Sequence, residues 1–185
     1  MRVEPQRGIT LRFLAEPTDV NFGGKVHGGA VMKWIDQAGY TCAAGWTGTY
    51  CVTVYLGGLH FLGPIRVGEL VELRALVIRT GRTSLDIAID VYAGDPTSPE
   101  RRRTGHCVVV FVAIGSDGKP TDVRPLRPAT ETDRALEEYA ERLAGLRKQM
   151  DAEMERRLAV EPRAGSPPGE PAAQAVTSNR QIGEA

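Results

Sequence analysis

One carboxylate in this chain is notable for the residues around it. Asp36 lies in the run Gly28-Gly29-Ala30-Val31-Met32-Lys33-Trp34-Ile35-Asp36-Gln37-Ala38-Gly39-Tyr40, and Lys33 is the only other charged residue between Ala30 and Trp46. The run has no proline and is mostly apolar, so it reads as a helix from Gly29 to about Ala44. Lys33 and Gln37, four apart, mark its polar strip. Asp36 lies beside that strip, on a stripe with Met32, Gly39, Tyr40 and Ala43. A carboxylate so placed is expected to be partly desolvated, which suits a general base. The pair Gly28-Gly29 falls where the helix begins. Helix starts carry unpaired N–H groups and partial positive charge, and can hold an oxyanion. Glycine there lets a substrate approach the backbone. Upstream, Pro17, Asp19, Asn21 and Gly23-Gly24 are turn formers, so Asn21 belongs to a loop leading into the helix. Each feature also has an ordinary structural reading. A lone Asp at the edge of an apolar helix face is commonly solvated or salt-bridged, and Gly-Gly before a helix is often only a turn.

The elements around this stretch must position it. Ile9–Leu14 reads as a first strand, and the turn-rich segment Gly45–Thr49 is expected to end the helix. Cys51–Phe61 reads as a strand with a bulge candidate at Gly57-Gly58. Leu70–Thr80 places Val71, Leu73, Ala75 and Val77 on one face. Ser84–Tyr92 alternates Leu85, Ile87, Ile89 and Val91 against Ser84, Asp86, Ala88 and Asp90, which predicts a half-buried antiparallel strand. Thr104–Ile114 is apolar on both faces and is placed centrally in the sheet. Thr130-Glu-Thr-Asp133 has the form of a helix start. That helix is expected to run to about Leu158, with Leu136, Tyr139, Leu143, Leu146 and Met150 on one stripe. The sequence leaves open whether it packs on its own sheet or on a partner. The expected division is residues 1–125 as the domain, 126–159 as the C-terminal helix and 160–185 as a disordered tail rich in Pro, Gly, Ala, Ser and Gln. The class is α+β, with an antiparallel sheet wrapped around a helix too apolar to lie on a surface. Either the sheet or a second subunit must cover that helix.

Composition bounds the partners. The 185 residues carry 23 basic and 23 acidic side chains, so no basic excess points to nucleic acid or to an anionic membrane. The longest apolar run, Cys107 to Ile114, is far too short to span a bilayer. Cys42, Cys51 and Cys107 match no metal spacing and read as reduced, buried thiols of a cytoplasmic protein. His27 reads as a packing or capping residue. His60 and His106 read as satisfied strand residues. The three histidines are not at ligand spacing, so no metal is expected.

Set together, Pro17-x-Asp19-x-Asn21, Val26-His27-Gly28-Gly29, Met32-x-x-x-Asp36, Val52-Thr53-Val54, Phe61-x-x-Pro64-Ile65-x-Val67-Gly68 and Gly81-Arg82-Thr83-Ser84 resemble the hot-dog-fold acyl-CoA thioesterases. The likeness is to the branch holding the bacterial broad-range enzymes and the brain-type cytosolic acyl-CoA hydrolase, and it covers roughly residues 8 to 125. It implies a curved sheet around the central helix. It also implies a homodimer as the minimal unit, with a trimer of dimers as a larger form. Asn21 of one copy would face Asp36 of the other. Asp36 would act as general base or nucleophile, Asn21 would position water or the carbonyl, and the Gly29 N–H would stabilise the oxyanion. Gly28 would line the substrate site. Gly81, Arg82, Thr83 and Ser84 would contact coenzyme A, which enters as part of the substrate; no cofactor is implied. Without the resemblance, the Gly81–Ser84 stretch is a plain strand-to-strand turn. Arg101, Arg102 and Arg103 form a run that is usually just a solvated loop. Lys25 departs from the acidic or asparagine residue of the familiar bacterial members. Two other functions remain: a non-catalytic acyl-CoA-binding regulatory module, and, ranked last, a hydratase, whose Asp-then-His pattern is missing here.

Overall fold

The computed structural model describes residues 5–160. Within them the order is β1 (Gly8–Leu14), a 3-10 turn (Pro17–Asp19), α1 (Gly28–Thr47), β2 (Tyr50–Phe61), β3 (Leu70–Thr80), β4 (Ser84–Gly94), β5 (Arg102–Ile114) and α2 (Glu131–Val160). The five strands form one antiparallel sheet in the order β1-β3-β4-β5-β2. It is the hot-dog arrangement expected, with α1 against one face. The expected tail lies outside the described residues, apart from Val160, which closes α2.

The inner face is built by period-two alternation meeting helical periodicity. Val71, Leu73, Ala75 and Val77 of β3, Leu85, Ile87, Ile89 and Val91 of β4, and Cys107, Val109 and Phe111 of β5 share one core with Ile35, Ala38, Cys42 and Ala43 of α1. Fully burying each large side chain stabilises the fold by about 1.5–3 kcal/mol. Gly39 lets α1 approach closely: a β-carbon there would stand 2.7 Å from the Phe111 ring. Burial pushes the Cys42 and Cys107 thiols up to about 12, so they serve as packing.

Three expectations need correction. First, α1 does not stop before Gly45. It runs through Gly45 to Thr47 and closes on Gly48, whose φ of 71° is a left-handed cap that returns its N–H to the Ala44 carbonyl. Burial of Trp46, whose indole Nε1 donates to the Arg124 carbonyl at 3.0 Å, outweighs the glycine. Second, the outer face of β4 stays partly exposed at Ser84, Ala88, Asp90 and Tyr92 but is not left to solvent: Asp86 is buried, and Ala88 packs beside the N-terminal half of α2. Ile78, Val108 and Ala140 form a second core there, with Leu76, Ala88, Leu136, Tyr139 and Leu143 packed against it. Third, β5 is interior, but β4 holds the centre.

Start signals in both helices act as read. Thr130 and Asp133 cap α2 reciprocally: the Asp133 N–H donates to Thr130 Oγ1 at 3.1 Å, and the Thr130 N–H to Asp133 Oδ2 at 3.0 Å. The bulge falls at Gly57-Gly58, where β2 slips register against β5.

Candidate functional site

The loop before α1 is a closed unit. A 3-10 turn is capped by the Glu16 N–H donating to Asp19 Oδ2 at 3.0 Å. Val20 and Val26 then bridge, and the Asn21 N–H donates to the Lys25 carbonyl at 2.7 Å. Asn21 Oδ1 accepts from the Gly23 N–H at 2.9 Å and, more weakly, from the Lys25 N–H at 3.3 Å. With the amide oxygen so occupied, Nδ2 is the end that can serve a ligand as a donor.

His27 caps α1. Its Nδ1 accepts from the Ala30 N–H at 3.0 Å, and its own N–H donates to the Asp19 carbonyl at 2.9 Å. The Val31 N–H reaches the His27 carbonyl. By the geometry of any helix start, Gly28 and Gly29 then hold the N–H groups without an intrahelical acceptor. The histidine thus satisfies one donor and leaves the glycine pair as the anion-facing end. A cleft of about 620 Å³ opens beside it, lined by Asn21, Lys25, Val26, Gly28, Val31 and Phe61 among others. The Phe61 ring lies 3.3 Å from where a Gly28 β-carbon would stand. Lys25, the departure noted in the sequence, lies on the cleft wall.

Asp36 is two turns further along α1 and outside that cleft. It is exposed, so the partial desolvation expected of it is not supplied by its own chain. Met32 and Tyr40 of the same stripe are exposed as well, while Gly39 and Ala43 are buried. The carboxylate is not loose, however. Thr53 Oγ1 donates to Asp36 Oδ1 at 2.5 Å. Thr53 pairs with Phe111, which puts its side chain on the α1 face of the sheet. This bond orients the carboxylate and leaves Oδ2 to meet a ligand. By sequence alone Thr53 is only part of a strand start. The missing signal was three-dimensional: a hydroxyl on β2 opposite a carboxylate on α1, 17 residues apart in the chain.

The turn between β3 and β4 is well tied. The Gly81 N–H donates to the Ser84 carbonyl at 2.8 Å, and the Thr83 and Arg82 carbonyls accept from the Ala113 and Val123 N–H groups. Arg82 points outward, 69% exposed, with Nη1 only 3.4 Å from Asp122 Oδ1. Such a loose surface pair leaves the guanidinium available to an anion. Thr83 is fully buried, and within the protomer its hydroxyl is not presented to solvent. Ser84 is half-buried. The Arg101–Arg103 run is internally engaged. Arg101 holds the Asp95, Ser98 and Glu100 carbonyls, Arg102 grips Glu69, and Arg103 pairs with Asp90. His106 is satisfied between Asp90 and Tyr139, whereas His60 is exposed. Among the described residues, no three His, Cys, Asp or Glu side chains cluster as a metal site.

These groups fall at two ends of one strand. Ser84 pairs with Val112, which pairs with Val52, so the Arg82 turn lies near the Tyr50 end of β2. Asp36 and Thr53 lie toward the same end. Asn21 and Gly28, with Gly29 beside it, lie by Phe61 toward the other end of β2, and Gly28 is about 12 Å from Asp36 along α1, too far for one ligand atom to meet both. One protomer therefore does not assemble the predicted site. β2, twelve residues long, is also an edge strand of the described sheet, with outward-facing backbone groups at alternate residues and exposed Tyr50, Val54 and Phe61.

The family model for the thioesterase superfamily matches residues 23–100. An acyl-CoA thioester hydrolase, YciA, from Salmonella typhimurium is 36% identical over 126 residues, covering 66% of this chain and 92% of that protein. An acyl-CoA hydrolase from Bacillus cereus superposes with a TM-score of 0.76 at 27% identity, over 83% of this chain and 94% of the other. A hexameric thioesterase from Yersinia pestis superposes with a TM-score of 0.59 at 35% identity, over 63% and 94%.

Proposed function

This chain belongs to the thioesterase superfamily, and we propose that it hydrolyses acyl-CoA thioesters at a site that two copies build together. It is a thioester hydrolase, as are the acyl-CoA thioester hydrolases it is similar to. One observation carries the two-copy reading: Asp36 and Asn21 sit toward opposite ends of a free edge strand. Antiparallel pairing of two β2 edges about a two-fold axis sets the Tyr50 end of one copy beside the Phe61 end of the other. The same pairing covers the exposed Met32-Tyr40 stripe and satisfies the unpaired edge. The hexameric relative is in keeping with dimers that associate further as a trimer.

In this arrangement the thioester carbonyl lies against the Gly29 N–H of one copy, with Asn21 Nδ2 of that copy beside it. Asp36 of the other copy, held by Thr53, takes a proton from water. The hydroxide oxygen bonds to the carbonyl carbon, and the carbonyl electron pair moves onto the oxyanion at the helix start. Collapse breaks the carbon–sulfur bond. The departing thiolate takes the proton from Asp36, giving free acid and coenzyme A. The alternative, in which Asp36 attacks directly, would expel the thiolate and form a mixed anhydride, and labelled water opening that anhydride at the Asp36 carbonyl would leave one labelled oxygen in the carboxylate after a single turnover. Arg82 pairs with coenzyme A phosphate, with Gly81 and Ser84 in support. No metal or further cofactor enters the scheme. Three unpaired, buried cysteines fit a cytoplasmic setting, and no described helix is long and apolar enough to cross a membrane.

Complementation is the test. Asp36→Asn and Asn21→Ala should each lower kcat by about 10²-fold or more, with coenzyme A still bound. Mixed dimers of the two variants hold one wild-type site and one doubly altered site. Co-expression should therefore restore about a quarter of wild-type activity. If the mixture is no more active than its parents, the two-copy site is wrong.

A further inference from the structure

The second helix is longer than the face it covers. Its direction is fixed by contacts taken in order along its length. At its start, Asp133 Oδ1 accepts from Arg7 Nη1 at 2.5 Å, beside β3. Next, Leu136, Tyr139, Ala140 and Leu143 pack on Ile78 of β3, Ala88 of β4 and Val108 of β5, and Tyr139 OH meets His106 of β5. Finally, the Arg147 guanidinium stands 5.1 Å over the Tyr55 ring of β2. A seam of about 170 Å³ separates Leu146 and Met150 from Tyr55 and Gly57 there. α2 thus crosses β3, β4, β5 and β2 in turn, and reaches the edge of the sheet at Met150.

Residues 151–160 continue past that edge as helix. Ten residues extend about 15 Å, the width of about three strands. Their charged residues are of both signs, yet the apolar stripe does not stop. Leu146, Met150, Met154 and Leu158 recur every fourth residue, and the last two are 59% and 74% exposed in the protomer. A helix end meant for water has no use for that stripe.

We propose that the last turns of α2 cross the free edge of β2 and lie on a second copy of this chain, over its β2 and beside the end of its α2. The inference rests on the edge-to-edge pairing described above. Whatever continues the sheet past β2 occupies the space under Met154 and Leu158, and in that pairing it is the second copy. The helix then acts as a strap: its N-terminal half is bolted to its own sheet and its C-terminal half to its neighbour's. The two-fold axis makes the contact reciprocal.

Two measurements on the full chain test this. Met154→Glu with Leu158→Glu should weaken dimerisation at least tenfold in sedimentation velocity over a dilution series, with helix content retained by circular dichroism. A photo-crosslinking phenylalanine at position 158 should give covalent dimers whose cross-linked peptides come from β2 or α2 of the other copy. An unchanged dissociation constant, or crosslinks confined to one chain while the protein sizes as a dimer, would overturn the strap and leave the pairing intact. A wild-type protein that is monomeric at every concentration would remove the pairing and the strap together.

Discussion

The two helices cover opposite faces of one sheet, and they do so by different means. α1 meets the inner face with aliphatic and aromatic side chains throughout. α2 meets the outer face through a small apolar patch ringed by charge: Asp86 with Arg79, Asp90 with His106 and Arg103, and Asp133 with Arg7. A face that packs by shape is sensitive to volume. A face that packs over ion pairs is sensitive to losing one partner. The contrast also fits their positions. α1 carries Asp36 and must be held rigidly, whereas α2 covers charged residues that the sheet places on its far side.

The largest expected effect is on the outer face. Asp86 is nearly fully buried, and burial holds its carboxyl above the usual range, with Arg79 acting against that. Arg79→Met removes the guanidinium in contact with this group and leaves only the more distant Arg147. Removing one partner of a buried pair costs about 3–5 kcal/mol, to be read from urea unfolding. If the cost is under about 1 kcal/mol, the outer face does not depend on the pair.

A glycine in each helix sharpens the comparison. Gly39→Ala in α1 places a methyl group 2.7 Å from the fully buried Phe111 ring, and should destabilise by about 1–3 kcal/mol. Gly145→Ala in α2 meets nothing within 4 Å, and should stabilise by up to about 1 kcal/mol through helix propensity alone. Effects of the same sign at both sites would show that the two helices are not packed so differently.

The smallest effect is one of pH. The Arg7 guanidinium beside Asp133, with two backbone N–H groups at the cap, holds the Asp133 carboxyl well below the ordinary carboxylate range. A depressed value in the folded state means that the stabilisation is complete above the unfolded value, about 3.9, and is lost as pH falls through the folded value. Asp133→Asn should therefore lower stability at pH 7, and the gap from wild type should narrow progressively below about pH 4. A gap that stays constant from pH 7 to pH 2 would show that the carboxylate charge does not anchor α2.

Much of this was legible in the residues. Alternation in β3 and β4, the capping pair Thr130 and Asp133, and the long apolar run of α1 are local patterns, and each became the element it encodes. The ends of elements were less legible. Gly45 looked like a stop, and Trp46 pulled the helix past it. The β4 face with Asp86 and Asp90 looked solvated, because nothing in its own residues shows that a helix 40 positions later lies over it.

The candidate site divides along the same line. The chain on its own determined which groups could act: a carboxylate in an apolar helix, a glycine pair at that helix's start, an asparagine in a turn. Their chemistry is fixed by residue type and by positions a few residues apart. Only the tertiary structure decided that Thr53 holds Asp36, that Thr83 is buried while Arg82 is not, and that Asn21 and Asp36 lie toward opposite ends of one unpaired strand. Those facts depend on how strands distant in sequence are ordered in the sheet, and strand order follows from how the whole core closes around α1.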